Sequence, residues 1–472
     1  MIETDLAFAP VTELAQLVRE RKVSPVELVR MYLERIDRWD DRLHAYVTVS
    51  REAAMQQAKE AEAAVTRGDR LGPLHGMPLA VKDQFLTEGI RTTNGTRTLA
   101  AFVPDEDATA VTRLRGAGAI LLGKLNMPEG GLLGTRDWPY GQPRNPWNTD
   151  HDAGASSTGG GIATAAALCA AALGEDTGGS IRNPASYCGV VGIRPTWGRV
   201  SRHGIMPIVW SMDTAGPMTR TVADGALILR TIAGRDPKDV FTARLPVPDY
   251  VAALDGGVRG LRIGVIREFF ESGFLDRETG DAVRAAAAVF GSLGARVEDV
   301  SLPMVLLGGA IFCAIADSAT ALQHRRVLLT EPEQLDAGPR RRMLAASLLP
   351  VALYYKVEQA RNLMRDQVRA ALGRFDLLLC PSAPAPAARV DRAQVATWTA
   401  EDVIRFWQRG SHTSPFSLAA VTALSLPCGY TASGLPIGMQ LVGRPFGEAT
   451  VLRAAHTYEV NTDAHTRRPP LS

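Results

Sequence analysis

Glu175-Asp176-Thr177-Gly178-Gly179-Ser180-Ile181-Arg182 comes one residue after a run of small apolar residues, Ile162 to Leu173. That run is alanine-rich and too short to cross a bilayer, so it reads as a buried helix. The stretch behind it is polar and glycine-bearing, a turn leaving the core. Two residues without side chains ahead of a serine let consecutive backbone N–H groups approach a reacting atom, as an oxyanion hole requires. Upstream lie a second small-residue loop, Gly154-Ala155-Ser156-Ser157-Thr158-Gly159-Gly160, and Val81-Lys82-Asp83 at the end of an apolar run. A lysine and two serines can pass protons without a histidine.

Outward from this centre, strands and helices alternate. Met77–Val81 is an apolar strand that delivers Lys82, residues 107–117 read as a helix, and Ala119–Leu122 as a buried strand. The segment 141–161 is a loop, and strand-like pieces continue to about 219 before a helix at 221–233. On the N-terminal side, Ser24-Pro25-Val26-Glu27 has the form of a capping box with proline at the first helical position, predicting a helix over about 25–38. An alanine-rich helix follows over 50–66. On the C-terminal side a polar connector, Asp236 to Tyr250, leads to a new α/β passage at Leu261–Ile266. A helix near 277–293, a strand near 296–301, a mainly helical region over 303–373 and a buried strand at Phe375–Cys380 come next. Pro381 to Pro386 reads as a surface connection. Ala423–Leu426 and Ile437–Val442 read as paired strands, closed by a helix at 447–458. End-to-end alternation predicts one α/β domain with a mixed sheet over residues 1–472.

The 472 residues are 46% hydrophobic and 22% charged, the composition of an ordinary globular protein. A net charge of +2 with interspersed signs gives no electrostatic basis for binding nucleic acid or an anionic membrane. The acidic start Met1-Ile2-Glu3-Thr4-Asp5 lacks the layout of a secretion signal. Cys169, Cys188, Cys313, Cys380 and Cys428 are scattered and odd in number, which argues against a disulfide framework and a structural zinc site. The expected compartment is reducing and cytoplasmic.

Each chemical feature also has a plain reading. Lys82 reads as a base desolvated by its strand, or as a surface lysine paired with Asp83. Ser156 and Ser157 read as reacting groups, or as loop solvation and a helix cap. Gly178-Gly179-Ser180 reads as an anion cradle or a flexible turn. Asp176 and Arg182 read as a brace for that loop or a solvated pair. The joint pattern decides.

That pattern closely resembles the amidase signature enzymes, serine hydrolases with a Ser–cis-Ser–Lys triad. The matching blocks are His75 to Asp83, Arg144-Asn145-Pro146-Trp147-Asn148, the 154–160 loop and Leu173 to Arg182. Pro184-Ala185, Cys188 to Thr196, Gly198 to Ser201, Gly216 to Val222 and Gly434 to Leu441 continue the match in the family's order, over about residues 10–460. The resemblance implies a single large domain with a central mixed β-sheet flanked by helices on both faces. Its signature core covers about 70–225 and its elaboration about 226–472. It implies Lys82 as the catalytic lysine, Ser156 rather than Ser157 as the bridging serine after a non-proline cis peptide bond, and Ser180 as the nucleophile. It further implies the N–H groups of Thr177, Gly178, Gly179 and Ser180 as the oxyanion hole, with Ser157, Asp176 and Arg182 in support. Thr158 and Glu175 depart from the family, which commonly has glycine and threonine there. Thr158 requires an ordinary backbone conformation, and Glu175 adds negative charge near the site.

The expected function is a stand-alone hydrolase of linear C–N bonds in amides, aryl amides or carbamates. The resemblance places Gly130-Gly131-Leu132-Leu133 and Trp138-Pro139-Tyr140 along the acyl pocket, with Ile208 and Trp210 as another wall; core packing is the plain reading of these side chains. Gly131, Leu132, Tyr140 and Trp210 are the candidate substrate contacts. The alternative is the glutaminase subunit of a tRNA-dependent amidotransferase, which shares the signature. Against it, the 130–140 loop lacks that group's serine- and asparagine-rich character, and Ser417-Leu418-Ala419-Ala420-Val421 replaces its Asn-Leu-Ala-Gly-Leu type of run. No metal or organic cofactor is indicated. The expected partner is a small amide or carbamate, with neither nucleic acid nor membrane, and homodimerisation is left open.

Overall fold

A computed structural model of the chain describes residues 3–132, 137–390 and 411–471. Its strands are β1 (Tyr46–Val49), β2 (Pro78–Lys82), β3 (Ile120–Leu125), β4 (Ala171–Glu175), β5 (Val191–Arg194), β6 (Ala215–Thr219), β7 (Arg262–Ile266), β8 (Arg296–Val300), β9 (Leu377–Pro381), β10 (Ala423–Tyr430) and β11 (Pro436–Gly443). They form one sheet in the order β1-β3-β2-β4-β6-β5-β10-β11-β9-β7-β8. The blocks β3-β2-β4 and β9-β7-β8 are parallel, and the strands between them pair antiparallel.

Side chains alternate across a strand, and β9 shows what that does here. Leu377 and Leu379 join one buried cluster with Leu424, Leu426, Met439 and Leu441, while Leu378 and Cys380 join another with Val300, Phe375 and Val442. Both faces of the sheet are therefore covered, which explains why its strands read as apolar runs rather than alternating ones. The mixed sheet and single large domain are as expected.

Most helices follow their local signals. Ser24 accepts from Val26 N–H and Glu27 from Ser24 N–H, so the capping box opens a helix over Pro25–Leu43. One expectation is corrected. The run Ile162–Leu173 is not one helix: a helix covers Thr158–Ala165, the chain turns with Ala167 at φ 51°, and β4 begins at Ala171. A short alanine-rich run carries no period to separate strand from helix, and the pairing of its end with β2 on one side and β6 on the other decided it. The small strand β1, the helix Val11–Arg19 and the two-turn helix Arg182–Cys188 carried no local signal strong enough to find. Pro303–Gln323 is long and apolar enough to cross a membrane, but half of it is buried within the fold.

Candidate active site

β2 and β4 run parallel and side by side, with Val81 opposite Leu173. Lys82 ends the first strand and Glu175 the second, so both side chains emerge at the carboxyl ends of parallel strands, where open α/β sheets place ligands. The 154–160 loop reaches the same end. Gly159, in the first turn of the following helix, sits so close to neighbouring backbone that a Cβ there would lie 2.2 Å from Ala45 O. The peptide bond Ala155–Ser156 is cis. Thr158 takes an ordinary helical conformation as the first residue of the Thr158–Ala165 helix.

Lys82 is 1% exposed, which removes the surface-lysine reading. Its Nζ lies 2.9 Å from Ser156 Oγ, 3.2 Å from Glu175 Oε2 and 3.4 Å from Glu175 O. Asp83 does not pair with it; its Oδ2 accepts from Thr93 N–H at 2.9 Å. Burial holds the Lys82 ammonium below the usual lysine range, against the upward pull of Glu175. Ser157 Oγ donates to Glu175 O at 3.0 Å and accepts from Glu175 N–H at 3.2 Å, tying the serine loop to β4. Ser157 N–H donates to Ser180 O at 2.9 Å, which seats Ser180 against the same loop. Ser180 is half-buried, and among the described residues its hydroxyl makes no hydrogen bond with Ser156. Such bonds often form only in the substrate complex.

Asp176 braces the turn. Its carboxylate takes Arg182 Nε and Nη2, both at 3.0 Å, and Arg194 Nη1 at 3.0 Å. Burial opposes the charge, but the two guanidiniums outweigh it and hold the Asp176 carboxyl well below the usual carboxylate range. The same carboxylate takes Gly179 N–H at 2.9 Å. That is a correction to the expected cradle: among the described residues the N–H groups of Thr177, Gly178 and Ser180 carry no bond and stay open, whereas that of Gly179 is engaged. Gly179 has φ 132°, and Thr413 Oγ1 donates to Gly178 O at 2.7 Å, fixing the peptide from the other side.

The expected pocket residues divide. A Cβ on Gly131 would lie 3.5 Å from Ser156 Oγ and 2.4 Å from Ile208 Cδ1, so this glycine and Ile208 do border the site. Leu132 instead packs with Ala321, Leu328, Leu335 and Met343. The hydroxyl of Tyr140 donates to Thr96 O. Trp210 is 59% exposed and stacks with Trp197 and Phe241 on the surface. Leu133 lies outside the described residues. Three contributors went unseen in the sequence: Phe312, whose ring would touch a Cβ on Gly178 at 2.5 Å, Thr413, and Asp213, whose Oδ1 lies 2.8 Å from Thr177 Oγ1. They arrive from distant segments with no motif of their own. No cluster of metal-ligating side chains occurs among the described residues.

A buried lysine thus lies on a buried serine, beside a glycine-built turn ending in a second serine. The sequence model of the Amidase family matches residues 27–452. The chain belongs to the amidase family. A glutamyl-tRNA(Gln) amidotransferase component from Moorella thermoacetica is 41% identical, over 99% of this chain and 99% of that one. A bacterial aryl acylamidase of the amidase signature family superposes with a TM-score of 0.88 at 27% identity, covering 98% of this chain and 99% of that one. The peptide amidase of Stenotrophomonas maltophilia gives a TM-score of 0.84 at 31% identity, with 98% of each chain covered. Membership in this family makes the chain a C–N hydrolase.

Proposed function

We propose that this amidase cleaves amides through a serine acyl-enzyme. Neutral Lys82 accepts the proton of Ser156 as Ser156 takes that of Ser180, and Ser180 Oγ attacks the carbonyl carbon. The open N–H groups of Thr177, Gly178 and Ser180 hold the oxyanion. Ser156 returns a proton to the leaving amine, and water releases the acyl group by the reverse relay. The observation that carries this reading is the 2.9 Å contact between the buried Lys82 Nζ and Ser156 Oγ. Ser157, Asp176 and Arg182 support it by tying both loops to β4. Ser180→Ala is expected to abolish turnover and Lys82→Ala to reduce it by at least about 10²-fold. Near-normal rates in either variant overturn the assignment.

Two substrate readings have specific support. The likeness to the Moorella amidotransferase component favours the alternative over the stand-alone enzyme expected from the sequence: glutamine as the amide, with a protein partner receiving the ammonia. The apolar walls from Ile208 and Phe312, with the aryl acylamidase and peptide amidase likenesses, support a stand-alone hydrolase of amides or carbamates. Glutamine, an anilide, a peptide amide and a carbamate assayed side by side, with Ser180→Ala as blank, separate them. Glutamine turnover alone establishes the amidotransferase reading; anilide hydrolysis without glutamine turnover dismisses it. The five free cysteines are in keeping with a reducing, cytoplasmic setting.

A further inference from the structure

The carboxyls of Glu175 and Asp213 meet on a single hydroxyl. Thr177 Oγ1 lies 2.7 Å from Glu175 Oε1 and 2.8 Å from Asp213 Oδ1, and all three side chains are buried. A hydroxyl owns one proton and donates to one carboxylate only. The second short contact is a hydrogen bond only when the other carboxyl carries a proton and donates it to Thr177.

The surroundings indicate which carboxyl that is. Burial raises the Glu175 carboxyl too, but its far oxygen faces Lys82 Nζ at 3.2 Å, an attraction that favours the ionised form and that Asp213 lacks at contact distance. Besides Thr177, Asp213 meets only neutral amides: Ile208 N–H on Oδ2 at 2.8 Å, and Val209 N–H shared between Oδ1 at 2.9 Å and Oδ2 at 3.0 Å. Burial, with Glu175 close by, pushes the Asp213 carboxyl up to about 7. The remaining charges nearby are committed elsewhere. Asp176 is held by Arg182 and Arg194. Arg361, from the helix Val351–Arg374, bonds to Ser211 Oγ at 3.0 Å. Asp83 bonds to Thr93, beside Lys124.

We propose that Glu175, Thr177 and Asp213 set the charge state of Lys82. One proton stays on Asp213 and is donated to the Thr177 hydroxyl, which donates its own to Glu175, leaving Glu175 as the anion that orients the amine and retains its proton to higher pH. Glu175 and Asp213 are positioning residues, since they act through Lys82. Threonine is the common family residue at position 175, so this pair tunes this chain beyond what the signature requires. The inference rests on reading Lys82 as the base.

A serine-directed probe, phenylmethylsulfonyl fluoride, tests it on the full-length chain without a known substrate, with labelling rates followed by intact mass across pH. The wild-type rate is expected to rise with pH through one ionisation. Glu175→Gln and Glu175→Thr are expected to move that midpoint down by about 1–3 pH units, the effect of removing an opposite charge at contact distance. Asp213→Asn, whose amide can donate to Thr177 as the protonated acid does, is expected to leave the midpoint in place. An infrared carboxylic-acid carbonyl band present in the wild type at pH 6 is expected to vanish in Asp213→Asn. Folded Glu175 variants with an unmoved midpoint, or an unchanged band in Asp213→Asn, overturn the proposal. If Lys82→Ala labels at the wild-type rate, the base reading falls first and this inference falls with it.

Discussion

At the residue scale, the site turns on how burial and one neighbouring carboxylate divide control of Lys82. Burial lowers its proton affinity and Glu175 restores part of it. A lysine base works only after losing its proton, so kcat/KM is expected to climb with pH through the folded-state ionisation of Lys82. A profile flat from acid to alkaline pH contradicts the role. Asp176 behaves oppositely. Burial works against its charge, but Arg182 and Arg194 hold its carboxyl below the unfolded value, so its contribution to stability is fully present above about pH 4 and is lost only as pH falls through the lower folded value. These residues were legible: Lys82, Ser156, Ser180, Asp176 and Arg182 sit in contiguous motifs. Thr413, Phe312 and Asp213 were not, because a side chain that matters only by where its backbone is carried leaves no local mark.

At the scale of elements, the turn after β4 is held in a narrow gap. A Cβ on Gly179 would stand 2.0 Å from Thr413 Oγ1, at a φ that L-residues rarely adopt. Gly179→Ala is therefore expected to displace the cradle and cut kcat by about 10²-fold or more, measured with the substrate that the panel identifies. The strand β3 is tied down differently. Lys124 donates to Phe85 O, to Thr87 Oγ1 at 2.9 Å and to Thr92 Oγ1 at 2.8 Å, with Asp83 beside it. Lys124→Met leaves a buried carboxyl and a carbonyl without their cation, and is expected to cost about 3–5 kcal/mol in chemical denaturation. A loss below about 1 kcal/mol contradicts that account. The helix boundaries around β4 show where sequence reading stops. Ile162–Leu173 is alanine-rich from end to end, and only pairing with β2 and β6 makes its last three residues the start of a strand.

At the scale of the whole molecule, Arg182 joins the two halves of the chain. Besides Asp176 it donates to Thr413 O at 2.9 Å, to Ser417 Oγ at 2.8 Å and to Gln440 Oε1 at 2.5 Å, the last on β11. Lysine cannot reproduce that planar fork, so Arg182→Lys is expected to lower both activity and thermal stability; a variant with wild-type melting and rate refutes the joint. The sequence by itself determined the family, the strand–helix alternation and the candidate reacting groups, because those depend on motifs a few residues long and on apolar runs that must be buried. Tertiary structure alone decided which amides stay open, which aromatic rings reach the site, and that two acids share one threonine. Those facts, like the Arg182–Gln440 bond across 258 residues of chain, depend on distances between separate segments, and no local pattern encodes such a distance.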